Sequence, residues 1–146
     1  MKKIITTSEI KVTILSNLKP KYNNMRQIKF RGMDVNRNWY YGNLAVLTKS
    51  LGHVKPGTYI SNSVGVPFAY NVRPETIGQF SGLKDKKGKE IYEGDILLDD
   101  FTHVGSVYFA EGRFSWEEGI DYGVISYDEV EVIGTIYDEW NNDPDW

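Results

Sequence analysis

The chain is divided into short segments rich in β-branched and aromatic residues, and turn-forming residues separate these segments at intervals of roughly ten residues. Val104 to Phe109 alternates between apolar and polar side chains, Glu111-Gly112 marks a turn, and Arg113 to Trp116 returns, which predicts a hairpin. Segments this short and this frequent are not typical of strand–helix–strand units. The spacing therefore predicts a mainly β protein, either a small barrel or an open sheet.

Two further turns have strong local signals. Lys84 to Lys89 is rich in lysine, aspartate and glycine and lies between apolar residues, so it predicts a second hairpin. Glu93-Gly94-Asp95 predicts a tight turn into the strand that begins near Ile96. Only Arg73 to Ile77 and Ser126 to Val130 are typical of short helical turns.

The composition limits the class of protein. The 146 residues include no cysteine, which excludes disulfide scaffolds and thiolate metal sites and fits a reducing compartment. No apolar run approaches the roughly 20 residues that cross a bilayer, so we expect no membrane partner and a cytoplasmic location.

The charge is unevenly distributed. The first 24 residues contain five lysines and one glutamate, whereas the chain from Glu111 to Trp146 carries eleven carboxylates and only one basic side chain, Arg113. An acidic third of the chain is unsuited to lie along a phosphate backbone. Nucleic acid is therefore a possible but not a favoured partner.

The first 24 residues differ from the rest of the chain. Ile10, Val12 and Ile14 alternate with polar residues, which predicts a strand, but the following residues 17–24 are typical of a linker. Both an ordered strand and a poorly ordered extension remain open for residues 1–24. Met25 then begins the patterned domain, and residues 141–146 form an acidic tail.

Three segments of the chain carry a family resemblance. The first is Arg26-Gln-Ile-Lys-Phe-Arg-Gly-Met-Asp34. The second is Arg73-Pro-Glu-Thr-Ile-Gly-Gln-Phe-Ser-Gly-Leu-Lys-Asp-Lys-Lys-Gly-Lys-Glu-Ile-Tyr-Glu-Gly-Asp-Ile96, and the third is Val130-Glu-Val-Ile-Gly-Thr-Ile-Tyr137. In this order, they resemble the start, the central signature and the last strand of the YopX family of phage and prophage proteins.

This resemblance implies a YopX-like domain over about 25–140, α+β overall. It implies a small N-terminal α+β part over about 25–80 and an SH3-like barrel over about 81–140. It also implies a phage or prophage setting in a bacterial host cell. It implies no activity, since a fold by itself does not supply one.

The patterns that suggest chemistry are weak. Gly82 to Glu90 has five residues between its glycines, where a phosphate-binding loop has four, and it ends on a glutamate instead of a Mg²⁺-binding hydroxyl. The nearby carboxylates of Glu93, Asp95, Asp99 and Asp100 could form a metal or acid–base site only if two of them converged in a pocket. We expect instead that Asp95 accepts hydrogen bonds from backbone amides in its turn and that Asp99 and Asp100 solvate a strand end.

Imidazole chemistry has few candidates. Only His53 and His103 are present, in loop or strand-edge positions typical of solvated side chains. No nucleophile elbow and no zinc-binding His-Glu-x-x-His pattern accompanies them. We therefore predict no catalytic residue, no metal site and no cofactor, which favours a protein that is not an enzyme.

Large aromatic residues are the remaining candidates for an interaction surface. Exposed aromatic side chains on an SH3-like barrel can stack on bases or hold proline-rich peptides. Core packing or an oligomer interface is the favoured interpretation, because a small barrel needs large side chains to fill it. The candidates are Trp39, Tyr41, Tyr108, Phe114, Trp116 and Trp140.

The leading functional hypothesis is a non-enzymatic accessory protein that binds a protein partner or forms homo-oligomers. A second hypothesis is a role with nucleic acid, either by binding through the basic N-terminus and the Lys84–Lys89 turn or by acidic mimicry of DNA. A metal-assisted hydrolase that uses Asp95 and Asp99 is a third and weaker hypothesis.

Overall fold

A computed structural model of the chain describes residues 4–11, 27–62, 69–116 and 129–138. These residues contain almost no helix and are built from antiparallel strands. The strands are β1 (Phe30–Met33), β2 (Trp39–Leu47), β3 (Gly57–Ser61), β4 (Ala69–Val72), β5 (Gly78–Lys84), β6 (Glu90–Tyr92), β7 (Asp95–Asp99), β8 (Val104–Ala110), β9 (Arg113–Trp116) and β10 (Val130–Thr135).

The first sheet has six strands in the order β4-β3-β2-β1-β5-β6. Its centre is β1, which pairs with β2 on one side and with β5 on the other. Arg31 of β1 lies opposite Tyr41 of β2, so their side chains project from the same face of the sheet. That face carries the site described below.

The second sheet has four strands in the order β10-β7-β8-β9. The β8–β9 hairpin turns at Glu111-Gly112, where Glu111 has a positive φ of 52°, and this confirms the hairpin predicted from the sequence. A register shift interrupts the pairing of β10 with β7 between Val132 and Gly134. Such a bulge bends the strand and increases its twist.

The two sheets share a core. Ile91 of β6 is buried together with apolar residues of the second sheet, and Leu83 of β5 packs against the cluster. The turn between β5 and β6 also reaches β10, because Asp85 Oδ2 accepts a hydrogen bond from the Val132 amide at 3.0 Å and the Lys86 amide donates to the Val130 carbonyl at 3.0 Å. The buried cluster consists of Ile91, Leu97, Val107, Trp116, Val130 and Val132.

The predicted mainly β class is confirmed, and so is the Lys84–Lys89 hairpin turn. A closed SH3-like barrel is not confirmed, because the described strands form two open sheets. The predicted α+β character of the N-terminal part is wrong for residues 27–62 and 69–80, which contain strands and the 3-10 turn Pro74–Thr76. That turn lies within the segment predicted to be a helical turn.

The predicted strand from Ile10 is wrong at its start, because residues 7–11 form one helical turn. Thr6 lies at its beginning, and the Glu9 amide donates to the Thr6 hydroxyl at 3.3 Å while the Glu9 carboxylate accepts from the Thr6 amide at 2.9 Å. This reciprocal capping favours a helix start over a strand. Val12, Ile14, the segment 126–128 and the tail 141–146 lie outside the described residues, and the domain boundaries stay predictions. Within the described part of the chain, no helix has the length and apolar character that crossing a membrane requires.

Candidate functional site

An open pocket of about 390 Å³ lies on the face of the first sheet where β1, β2 and β6 present their side chains. We call it the Tyr41 pocket. Its size falls at the lower end of the range for small-ligand sites, so it can hold one or two side chains of a partner. The lining residues are Lys29, Arg31, Tyr41, Lys89, Glu90 and Tyr92.

The floor of the pocket is a buried ion pair. Arg31 Nη1 donates to Asp95 Oδ1 at 2.5 Å, and Arg31 Nη2 donates to the Glu93 carbonyl at 2.9 Å. The Arg31 guanidinium carbon also lies 4.6 Å from the centre of the Trp39 ring and 5.2 Å from that of Tyr92. The Arg31 guanidinium therefore contacts a carboxylate, a backbone carbonyl and two aromatic rings, and these contacts fix its position in the floor of the pocket.

Asp95 is completely buried. Its second carboxylate oxygen accepts a hydrogen bond from the Tyr92 amide at 2.8 Å, which confirms the predicted role in the turn. Burial raises the pKa of Asp95 above its ordinary value, while the charge of Arg31 and the Tyr92 amide act in the opposite direction. Asp95 therefore serves the fold and is closed to a ligand.

The walls of the pocket are tyrosine rings with different exposure. Tyr92 is only 2% exposed and packs on Phe80, with ring centres 5.4 Å apart. Tyr41 is 42% exposed and meets Tyr92 edge-on, with ring centres 5.5 Å apart. Tyr41 thus has a partly exposed aromatic ring, and its contact with the buried Tyr92 ring fixes its position.

One rim of the pocket is a hydrogen-bonded group of three side chains. The Glu90 carboxylate accepts from Lys29 Nζ at 2.5 Å and from the Tyr92 hydroxyl at 2.7 Å. Burial raises the pKa of Glu90, but Lys29 and the Tyr92 hydroxyl outweigh it and hold that pKa below its ordinary value. Burial and the bond to Glu90 together raise the pKa of Tyr92 far above its ordinary value, so its hydroxyl remains a donor.

Two lysines beside this rim contribute positive charge. Lys84 of β5 lies opposite Glu90 of β6 in the register of the two strands, and Lys89 precedes Glu90 in the chain. Both are exposed, and neither forms an ion pair with any described residue. The pocket and its border therefore combine four cationic side chains with the two carboxylates of Glu90 and Asp95, which gives this face a positive potential.

The other lysines of the turn are already paired. Lys86 Nζ lies 2.6 Å from Asp100 Oδ1, and Lys87 forms an ion pair with Glu131. Both carboxylates belong to the second sheet or the loop after β7. Of the predicted nucleic-acid-binding turn, only its two ends therefore carry lysines without such a partner among the described residues.

The predicted carboxylate cluster does not converge. Asp95 pairs with Arg31 and Asp100 with Lys86, while Glu93 accepts from the Gln79 amide at 3.0 Å. Asp99 Oδ1 accepts from two loop amides, and its Oδ2 lies 2.9 Å from His103 Nδ1. No group of metal-ligating side chains suited to an ion occurs in the described ranges.

The predicted aromatic surface is divided between the sheets. Tyr41 lines the pocket, and Trp39 lies over Arg31 and packs on Tyr137 with ring centres 5.9 Å apart. Tyr108 and Phe114 are half-buried on the second sheet. Trp116 is 8% exposed and belongs to the buried cluster, which agrees with core packing as the interpretation of this residue. Trp140 lies outside the described residues.

The sequence reasoning missed most of the pocket. Lys29, Arg31, Glu90 and Tyr92 come from two segments about 60 positions apart in the chain, and only the pairing through β5 brings them together. One signal was available: Arg31 is a charged residue between apolar and small residues in a predicted strand. Such a residue is buried only when it has a partner.

Comparisons with known proteins identify a family and a similar solved structure. A family model described as YopX protein matches residues 29–141. The crystal structure of protein EF1440 from Enterococcus faecalis has 25% sequence identity to this chain and a TM-score of 0.49. That comparison covers 77% of this chain and 94% of that chain. No curated protein matches significantly.

Proposed function

The chain belongs to the YopX family, and from that premise we propose that it is a non-enzymatic binding module that captures an acidic, aromatic segment of a partner protein in the Tyr41 pocket. The observation that carries the proposal is the partly exposed ring of Tyr41 beside lysines that have no carboxylate partner among the described residues. An aromatic ring with ammonium groups at its border suits a segment with both rings and carboxylates.

The geometry favours a peptide over a small substrate. The pocket is open to solvent, and the charged groups at its rim and floor are already paired: Glu90 with Lys29, and Arg31 with Asp95. A reaction would require a titratable group aimed at a substrate, yet Glu90 and Asp95 each have two partners. The groups that remain for a ligand are the Tyr41 ring and the ammonium groups of Lys84 and Lys89. These groups can bind a partner but provide no nucleophile or base.

We also propose the setting that the family resemblance implies, an accessory role in a phage or prophage and a location in the cytoplasm of the bacterial host. An SH3-like arrangement of the second half belongs to the same proposal. It is supported by the two hydrogen bonds through which the β5–β6 turn reaches β10, since these bring the ends of the two sheets together.

Nucleic acid is the second candidate. A tyrosine ring bordered by lysines can also stack on a base and contact phosphate. Asp100 and Glu131, however, lie beside the same turn and neutralise Lys86 and Lys87. Those carboxylates oppose a continuous positive groove, so we place this candidate below the peptide. Mimicry of DNA and self-association stay predictions, because most of the acidic third and Trp140 lie outside the described residues.

Titration calorimetry with two synthetic peptides tests the proposal. The first is acetyl-Asp-Trp-Asp-Pro-Asp-Tyr-amide, and the second replaces each aspartate with asparagine. We expect the acidic peptide to bind the full chain about tenfold more tightly, a difference of about 1.4 kcal/mol. We expect Tyr41→Ser and Lys89→Glu to weaken it by a similar factor. Lys55→Glu, an exposed change in the β2–β3 connection, is the matched control and should leave binding unchanged.

The outcomes separate the candidates. Equal binding of the two peptides, or equal loss in the Lys55→Glu control, would remove the Tyr41 pocket as an acidic-peptide site. Saturable binding of a short single-stranded DNA oligonucleotide that depends on Tyr41 and weakens steeply with salt would favour the nucleic-acid candidate instead.

A further inference from the structure

We propose that residues 139–146 of this same chain occupy the Tyr41 pocket and compete there with the external partner. This inference rests on the proposed function, since it names the ligand that regulates the same site. We call this stretch the acidic segment. It contains three carboxylates, two tryptophans and a proline, and no basic side chain: Glu139, Trp140, Asn141, Asn142, Asp143, Pro144, Asp145 and Trp146.

The described chain ends close to the pocket. Tyr137, one residue before the last described position, packs against Trp39, and its carbonyl accepts from Arg37 Nη2 at 3.3 Å. The Trp39 ring in turn contacts the Arg31 guanidinium, which forms the pocket floor and also lies near the Tyr92 ring. Tyr137 is therefore separated from the pocket floor by a single aromatic ring.

The remaining distance is short for the length of chain available. An extended chain advances about 3.3 Å per residue, so eight residues reach on the order of 25 Å. Trp39 and Tyr41 are two positions apart on β2, which corresponds to about 7 Å along a strand. The acidic segment can thus cross from Tyr137 to the Tyr41 ring with several residues to spare.

The chemistry of the two partners is complementary. Lys89 and Lys84 can pair with carboxylates such as those of Asp143 and Asp145, and the open ring of Tyr41 can pack against an indole ring or against Pro144. The turn at residues 135–138 is closed by a hydrogen bond, in which the Asp138 carboxylate accepts from the Thr135 amide at 2.6 Å. The residues that precede the acidic segment are therefore held beside Trp39.

Because the acidic segment is part of the same chain, even a weak affinity for the pocket is enough to fill it. A segment tethered by a short linker has an effective concentration on the order of millimolar. If the free segment bound with a Kd of about 0.1 mM, the tethered copy would fill the pocket and weaken an added competitor about tenfold. The chain would then bind strong acidic partners and exclude weak ones.

The test uses the full chain and a fluorescently labelled synthetic peptide of residues 139–146. The segment variant carries W140S, D143N, D145N and W146S, which leave the described residues unchanged. The charge-matched control carries E111Q and E129Q at two exposed positions. We expect the labelled peptide to bind the segment variant about tenfold more tightly than it binds the wild type or the control. Adding K89E to the segment variant should abolish that gain.

A second measurement does not depend on an added ligand. We expect the backbone amide resonances of Lys29, Tyr41 and Lys89 to shift between the wild type and the segment variant, and those of Lys49 and Lys55 to stay in place. Equal peptide affinity for both chains, with no such shift, would overturn the inference and leave the proposed function intact. Failure of both chains to bind either this peptide or the acetylated acidic peptide would overturn the proposed function itself. Light scattering that finds a wild-type dimer and a monomeric segment variant would overturn the inference but not the proposed function, because a second copy of the chain would then supply the segment.

Discussion

Arg31 and Asp95 join the two sheets through one buried ion pair, with Arg31 Nη1 2.5 Å from Asp95 Oδ1. Arg31 belongs to the central strand of the first sheet, and Asp95 begins β7 of the second. Their side chains are 4% and 0% exposed. Both side chains are thus almost completely buried, and their ion pair links the two sheets directly beneath the Tyr41 pocket.

Removing one member of this pair should be costly. We expect Asp95→Ala to lower the free energy of unfolding by about 3–5 kcal/mol, because it leaves the Arg31 charge buried without its partner. Asp100→Ala removes an exposed partner from Lys86 and should cost less than about 1 kcal/mol. Urea denaturation monitored by circular dichroism measures both changes.

A double replacement tests the reason for that loss. If the unpaired charge is the cause, Arg31→Met combined with Asp95→Leu should be more stable than Asp95→Ala alone, since apolar residues of similar volume often replace a buried pair without loss. A double variant that is as unstable as the single one would show that the hydrogen bonds to Glu93 and Tyr92 carry the energy instead.

The stability of the chain should also depend on Asp85. This residue is 6% exposed and accepts hydrogen bonds from the amides of Lys87, Lys89 and Val132. Burial raises its pKa, but the three amides outweigh burial and leave the pKa below the ordinary value of 3.8. The resulting stability is fully present above pH 3.8 and is lost as the pH falls through the lower pKa of the folded state.

The measurement is the free energy of unfolding between pH 2 and pH 6 for the wild type and for Asp85→Asn. We expect the wild type to lose stability below pH 4 more steeply than the variant, since the variant has no carboxylate to protonate at this position. Glu111→Gln, at an exposed turn, is the control and should keep the wild-type slope. If the free energies of unfolding of the wild type and Asp85→Asn changed with pH in parallel, the ionised Asp85 carboxylate would not be the source of this stability.

Local sequence signals predicted the turns but not the partners of the strands. The Lys84–Lys89 and Glu111-Gly112 turns are specified by adjacent glycine and polar residues, so they could be recognised. The pairing of β1 with β5 joins residues far apart in the chain, such as Arg31 and Gly78, which are 47 positions apart. No local pattern determines such a pairing, and the division into two open sheets was therefore missed.

The same limit applies to the pocket. Tyr41 could be proposed because a tyrosine in an alternating strand has a defined face. Its neighbours Glu90 and Tyr92 follow it by about 50 positions and reach it only through the order of the sheet. For Trp116 the sequence left core packing and an interaction surface open for a related reason: the alternation assigns it to one face of β9, and only the assembled sheets reveal that this face is the core.

Trp116 and Tyr41 should therefore respond differently to truncation. We expect Trp116→Ala to cost about 3–5 kcal/mol of stability, because it opens a cavity in the buried cluster. Tyr41→Ala removes a ring that is 42% exposed and should cost less than about 1.5 kcal/mol of stability, while weakening binding of the acidic peptide about tenfold. Thermal denaturation and calorimetry separate the two effects, and similar losses of stability in both variants would contradict the distinction between core and pocket.

The rim of the pocket offers a last test, in which the pKa of Glu90 reports its contacts. Lys29 and the Tyr92 hydroxyl both hold that pKa below its ordinary value, and Lys29 has the larger effect. We expect Lys29→Gln to raise the pKa of Glu90 most and Tyr92→Phe to raise it less, because each removes one hydrogen bond to the ionised carboxylate.

The control is Tyr59→Phe, which removes a hydroxyl that donates to the Lys55 carbonyl and should leave the pKa of Glu90 unchanged. The carboxyl carbon of Glu90, followed by nuclear magnetic resonance during acid titration, measures all three variants. A pKa of Glu90 that is unchanged in Tyr92→Phe would mean that the tyrosine hydroxyl does not hold the rim, and only the Lys29 contact would remain to position it.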